Sequence, residues 1–152
     1  MSAFEPLIGT WHGEGKIPSE PPFTVSVEAT IERLGAFLVM RTVGEPAEMP
    51  DTLAVIGGAP DDEPQPMHYF DSRGVTRMFM MALEGSTWRI WRAPGEDWNG
   101  PDGPGFNQRF IGDISADGKT IEGRWERGIG DAGEEWVIDF PFDYVRLERQ
   151  AG

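Results

Sequence analysis

The chain has 152 residues, enough for one ordinary domain with a sizeable core. Its 26 acidic and 13 basic residues leave a formal charge of −13. That balance excludes a nucleic-acid surface and docking on anionic lipid, since both need basic patches. There is no cysteine, so disulfides, thiolate metal sites and cysteine nucleophiles are excluded, and the 2 histidines cannot build a three-His zinc site. The opening Met1-Ser-Ala-Phe-Glu-Pro6 lacks the charged and apolar regions of a secretory signal, and no stretch has the apolar length of a membrane span. The expectation is a soluble, cytoplasmic, single domain over 1–152.

Glycine (20) and proline (13) are spread along the chain and cut it into runs too short for helices. The one helical candidate is about a turn near Phe4–Ile8. The runs are rich in β-branched and aromatic residues and alternate with period two, which predicts strands. They are, in order, Thr10–Ile17, Phe23–Leu34, Ala36–Gly44, Thr52–Gly58, Met67–Asp71, Val75–Leu83, Thr87–Ala93, Phe106–Ile114, Thr120–Arg127 and Trp136–Leu147. In the second run Val25, Val27, Ala29 and Ile31 share one face, while Ser26, Glu28, Thr30 and Glu32 share the other. Tight turns at Leu34-Gly35, Ser72-Arg73-Gly74, Glu84-Gly85-Ser86 and Ser115-Ala116-Asp117-Gly118 join neighbouring runs as hairpins.

Ten consecutive antiparallel strands in an open sheet leave two unpaired edges, which closure removes. The predicted fold class is therefore all-β, a single closed antiparallel barrel of about ten strands with almost no helix. In the last run the even positions Trp136, Ile138, Phe140, Phe142, Tyr144 and Arg146 are expected to face inward. A barrel with more than about eight strands leaves interior room. A cavity is expected, and a ligand is the usual reason for one. Four Pro-, Gly- and acid-rich loops stand out, namely Glu45–Asp51, Ala59–Pro66, Pro94–Gly105 and Gly128–Glu134. They are expected to set acidic loops around one mouth, which Trp98 could cap.

The stretch Gly9-Thr10-Trp11-His12-Gly13-Glu14-Gly15 resembles the opening of the lipocalin-like calycin barrels, and specifically of their nitrobindin branch. The resemblance implies that Trp11 packs at the closed end of the barrel with Arg146, from Tyr144-Val145-Arg146, lying over its indole. A guanidinium on an indole face is a favourable pair in its own right. The stretches His68-Tyr69-Phe70-Asp71-Ser72-Arg73-Gly74, Gln108-Arg109-Phe110-Ile111-Gly112, Ser115-Ala116-Asp117-Gly118 and Gly123-Arg124-Trp125-Glu126 also resemble a bacterial family of lipocalin-like domains of unknown function. That family brings no known reaction with it.

The nitrobindin resemblance implies ferric haem held by a histidine on a late strand. The corresponding residues, Asp143 to Arg149, contain no histidine. No cofactor is predicted. Haem is the alternative, with His68 or Tyr144 as its ligand and reactive nitrogen species as substrate. The spacing Asp113-x-Ser115-x-Asp117-Gly118 imitates the start of a calcium loop, but its twelfth position is Arg124 and no helix flanks it, so a β-turn is expected. There is no Gly-x-Ser-x-Gly elbow and no phosphate loop ahead of a helix. Asp71, Glu122 and Glu126 are expected to be outward partners of arginines.

The barrel interior is the more productive place for function. The ligand-binding candidates are His68, Arg77, Trp91, Arg109, Trp125 and Tyr144, with Phe110 competing with Arg109 for the inner face. A buried arginine needs an anion, which a bound acid can supply; the alternative is pairing with Glu28, Glu122 or Glu126 outside. The first reading is a module binding a small, mainly apolar or amphipathic molecule, with no nucleic acid and no membrane as partner. The second is the haem enzyme. The third is a barrel filled by side chains whose outer face pairs subunits in a homodimer.

Overall fold

The structure, a computed structural model, describes residues 2–46, 49–92, 107–129 and 135–147. A 3-10 helix, Ser2–Leu7, precedes ten strands. They are β1 (Gly9–Ile17), β2 (Phe23–Leu34), β3 (Phe37–Glu45), β4 (Thr52–Ile56), β5 (Gln65–Asp71), β6 (Thr76–Glu84), β7 (Thr87–Arg92), β8 (Asn107–Ile114), β9 (Thr120–Ile129) and β10 (Glu135–Arg146). Each pairs antiparallel with its neighbour in sequence, and β1 pairs with β10, so the sheet closes on itself. Among the described residues no helix is long and apolar enough to cross a membrane.

Alternation drives the closure. Along β2, Val25, Val27, Ala29 and Ile31 are buried while Glu28 and Glu32 are exposed. Directly paired residues on neighbouring strands share a face. The inner set therefore runs around the barrel as Ile31, Met40, Ala54 and Tyr69 through the β2–β3, β3–β4 and β4–β5 pairings. β4 stops at Ile56, earlier than the sequence pattern suggested, because Gly57 and Gly58 take φ of 144° and 109°, outside the extended region.

β10 is where the alternation changes phase. Its register against β9 shifts between Ile138 and Phe140, so Asp139 is an extra residue. Beyond the bulge Phe140, Phe142 and Tyr144 face inward as expected. Before it the expectation fails: Ile138 is 64% exposed, and Trp136 turns its ring to Arg109 on the outer wall. β1 pairs with β10 only from Arg146 to Phe142. Pro141, which has no N–H to donate, stands just where that pairing ends.

The two ends of the barrel differ. One carries the β2–β3, β6–β7 and β8–β9 turns, the β4–β5 connection and the 3-10 helix, and it is packed solid. There Trp11 donates its indole N–H to the Leu7 carbonyl at 2.9 Å. The Arg146 guanidinium lies 4.1 Å from the Trp11 ring centre and donates to the carbonyls of Ile8 (2.6 Å), Pro6 (2.6 Å) and Gly118 (3.0 Å). Burial lowers the Arg146 pKa, though the group remains a cation. Gly13 lets two rings lie on β1: a Cβ there would sit 2.6 Å from Phe142 and 2.8 Å from Tyr144.

The other end carries the β1–β2, β3–β4, β5–β6, β7–β8 and β9–β10 connections. Three of the four acid-rich loops leave from it. The fourth, Ala59–Pro66, belongs to the closed end, because it joins β4 to β5. Trp98 and the Pro94–Gly105 loop lie outside the described residues, as does most of Gly128–Glu134.

Candidate functional site

A cavity of about 460 Å³ occupies the barrel interior above the closed end. Trp88, Phe110, Phe142 and Tyr144 make its floor, and Met40, Met67, Phe79, Ile90, Trp125 and Phe140 make its walls. Met49, Pro50, Arg73, Arg77, Gln108 and Asp139 line it toward the loop-bearing end. Its rings interlock. Phe110 stands between Trp88 (5.0 Å between centroids), Trp125 (5.4 Å) and Tyr144 (6.2 Å). Such a volume and lining suit a small apolar ligand.

Three nominated residues, Arg77, Trp125 and Tyr144, are brought together around this cavity. His68, Trp91 and Arg109 are not, and each is a correction with the same cause. The β5–β6 hairpin pairs Tyr69 with Arg77, so Tyr69 shares the inner face and His68, paired with Met78, is exposed outside. The β6–β7 register pairs Trp91 with Met80 on the outer face, which leaves Trp88 and Ile90 inside. Arg109 pairs outside with Glu126, its Nε donating to the carboxylate at 2.6 Å, and its guanidinium lies 3.9 Å from the Trp136 ring centre. Phe110 takes the inner place.

Glu126 borders the cavity beside the bulge and also accepts from Arg124 Nε at 3.0 Å. Burial works to raise its pKa, but the hydrogen bonds from Arg109 and Arg124 outweigh it, and the carboxyl sits below its ordinary range. Asp71 is held similarly. Burial opposes its charge, while Arg73 (2.7 Å) and the Tyr69 hydroxyl (2.8 Å) donate to it and bring its pKa down. Tyr69, half-buried on the cavity wall, went unnominated at the sequence level. The hairpin register was the available signal, since an inward Arg77 across a three-residue turn requires an inward Tyr69.

Tyr144 is almost fully buried, and burial alone raises its phenol pKa, so the group stays neutral. Trp88 is 1% exposed, and its indole Nε1 has no hydrogen-bond partner among the described residues.

The donor set does not fit haem. Neither histidine lines the cavity: His68 is on the outer wall, and the His12 ring meets Glu14 at 3.0 Å. Tyr144 would have to bind iron as a phenolate, the form its burial disfavours. No group of three or more His, Asp or Glu among the described residues could hold a metal ion. The calcium-like stretch is a hairpin turn, in which Ser115 donates to Asp117 at 2.6 Å while Asp113 accepts from Thr87 across to β7.

Fold and cavity together define a closed up-and-down β-barrel with a ligand-sized interior. No family model matches the chain, and no curated protein matches it. Among solved structures the chain is similar to the crystal structure of Rv2717c from M. tuberculosis. The TM-score is 0.63 at 12% identity, over 97% of this chain and 96% of that one. Identity that low shows the shared barrel fold alone.

Proposed function

We propose that this barrel is a binding module for a small, mainly apolar molecule held in the interior cavity. The observation that carries the reading is the contrast within one barrel. One end is filled by Trp11 and its neighbours, and the other encloses about 460 Å³ lined by methionine and aromatic side chains. Interiors of this kind normally pack to the density of organic crystals, so a space this large is the exception to explain. Methionine walls adapt to the shape of what they hold. Where the ligand carries an acid group, Arg73 and Arg77 on the open side are its partners.

The test uses N-phenyl-1-naphthylamine, an uncharged apolar fluorophore. Saturable binding of one molecule per chain is expected, with enhanced fluorescence. Ala54 is buried and faces the cavity, so Ala54→Phe fills part of it. That variant is expected to melt close to the parent and to bind the probe at least about tenfold more weakly, a loss of roughly 1.4 kcal/mol. Absence of saturable binding, or equal binding by a folded Ala54→Phe protein, overturns the reading.

A further inference from the structure

We infer that the cavity floor recognises an uncharged hydrogen-bond acceptor, such as a ketone, ester or amide carbonyl, at the leading end of an apolar ligand. The inference rests on the cavity being a ligand site.

The starting point is the orphaned indole. Trp88 Nε1–H is buried with no partner among the described residues. A buried donor left unsatisfied is costly and rare. The same barrel shows how an indole is treated when it serves packing alone, since Trp11 donates to the Leu7 carbonyl at 2.9 Å. Trp88 lines the cavity, and so does Tyr144, whose ring lies 5.8 Å from it between centroids. Burial alone accounts for the raised pKa of the Tyr144 phenol, with no hydrogen bond to it among the described residues. An indole N–H only donates, and a neutral phenol is available to donate beside it. A buried donor with nothing to donate to, beside the ring of a neutral phenol, calls for an acceptor.

The acceptor is uncharged because the cations lining the cavity are elsewhere. Trp88 pairs with Leu83, which lies six residues along β6 from Arg77, about 20 Å of strand. A carboxylate on the floor would be desolvated without a counter-charge, which is far more costly than burying a carbonyl that receives hydrogen bonds. An amphipathic ligand thus enters carbonyl-first, with any anionic group left at the arginine-bearing side. Aliphatic and aromatic carbonyl compounds are the ligand class.

Three probes displace N-phenyl-1-naphthylamine in competition: 2-acetylnaphthalene, its hydrocarbon counterpart 2-isopropylnaphthalene, and 2-naphthoate. The expected result has three parts. Tyr144→Phe and Trp88→Phe each weaken the ketone about tenfold while leaving the hydrocarbon within about threefold, the size of one hydrogen bond. The carbonyl stretch of the ketone bound to the parent protein lies below its position in hexane and moves back in the variants. The naphthoate binds more weakly than the ketone. Because the infrared reading is made on the parent protein, it stands even if Trp88→Phe fails to fold. If ketone and hydrocarbon both bind but the stretch keeps its hexane position, water serves the two donors, and this inference fails while the cavity reading survives. Tighter binding of the naphthoate overturns the uncharged acceptor. If no probe displaces the fluorophore, or the fluorophore does not bind, both readings fall.

Discussion

The two ends of this barrel are built from the same alternating strands and solve opposite problems. At the closed end the side chains of Trp11, Arg146 and Gln65 all have hydrogen-bond partners. The Trp11 indole bonds the Leu7 carbonyl, and Arg146 bonds three carbonyls from two segments while covering the Trp11 ring. Gln65, fully buried, ties its amide to Ala59, Pro60 and Glu63 and so pins the β4–β5 connection. At the cavity floor Trp88 is as deeply buried as Trp11, yet its indole N–H is left unbonded among the described residues, and burial alone acts on the Tyr144 phenol beside it. In the reading proposed above, the satisfied groups fix the closure and the unsatisfied donor marks the binding surface.

Substitutions at the two ends sharpen that contrast. Trp11→Ala removes a fully buried indole together with the support of Arg146, and urea unfolding is expected to show a loss of about 3–5 kcal/mol. Gly13→Ala is the next largest. Its Cβ would meet the Phe142 and Tyr144 rings at under 3 Å, so about 1–3 kcal/mol is expected, read as a lower thermal midpoint. The same change should weaken the naphthylamine probe, because the displaced rings line the cavity.

Glu126→Gln comes third, at about 1–2 kcal/mol near neutral pH, since its arginine partners are partly exposed and screened. Its pH dependence has a definite sign. The folded-state pKa of Glu126 lies below the unfolded one, so its contribution is complete above the unfolded value and is lost as pH falls through the folded value. Urea midpoints of parent and variant should therefore converge as pH drops below about 4. A gap that stays constant down to pH 3 would show that the ion pairs contribute nothing.

Tyr144→Phe is the smallest. With no bond to lose, its stability should stay within about 0.5 kcal/mol of the parent, in contrast to its effect on the ketone probe. A loss above about 1.5 kcal/mol would mean that the hydroxyl is structural and would erase the distinction between the two ends.

What was legible in the sequence follows from locality. Period-two runs and Gly-centred turns depend on residues a few positions apart, so ten strands, their hairpin order and an all-β closed barrel could be read directly. Arg77 and Tyr144 could be placed because Phe79, Met81 and Phe142 beside them fix the phase of their strands. His68, Trp91 and Arg109 could not, because each strand alone offers two plausible inner faces. Only the register against the next strand chooses between Trp91 and Trp88, or between Arg109 and Phe110.

The sequence by itself therefore determined the secondary structure, the antiparallel order and the closed architecture, through alternation, turn chemistry and the need to remove sheet edges. The tertiary structure decided three further things. The bulge at Asp139 reversed the phase of β10, so Trp136 and Ile138 face outward. The placing of connections at alternate ends sent Ala59–Pro66 away from the mouth. The cavity and its unbonded donor arose between strands far apart in the chain. Side-chain phase, volume and hydrogen-bond satisfaction are properties of paired and facing strands, which no local pattern encodes.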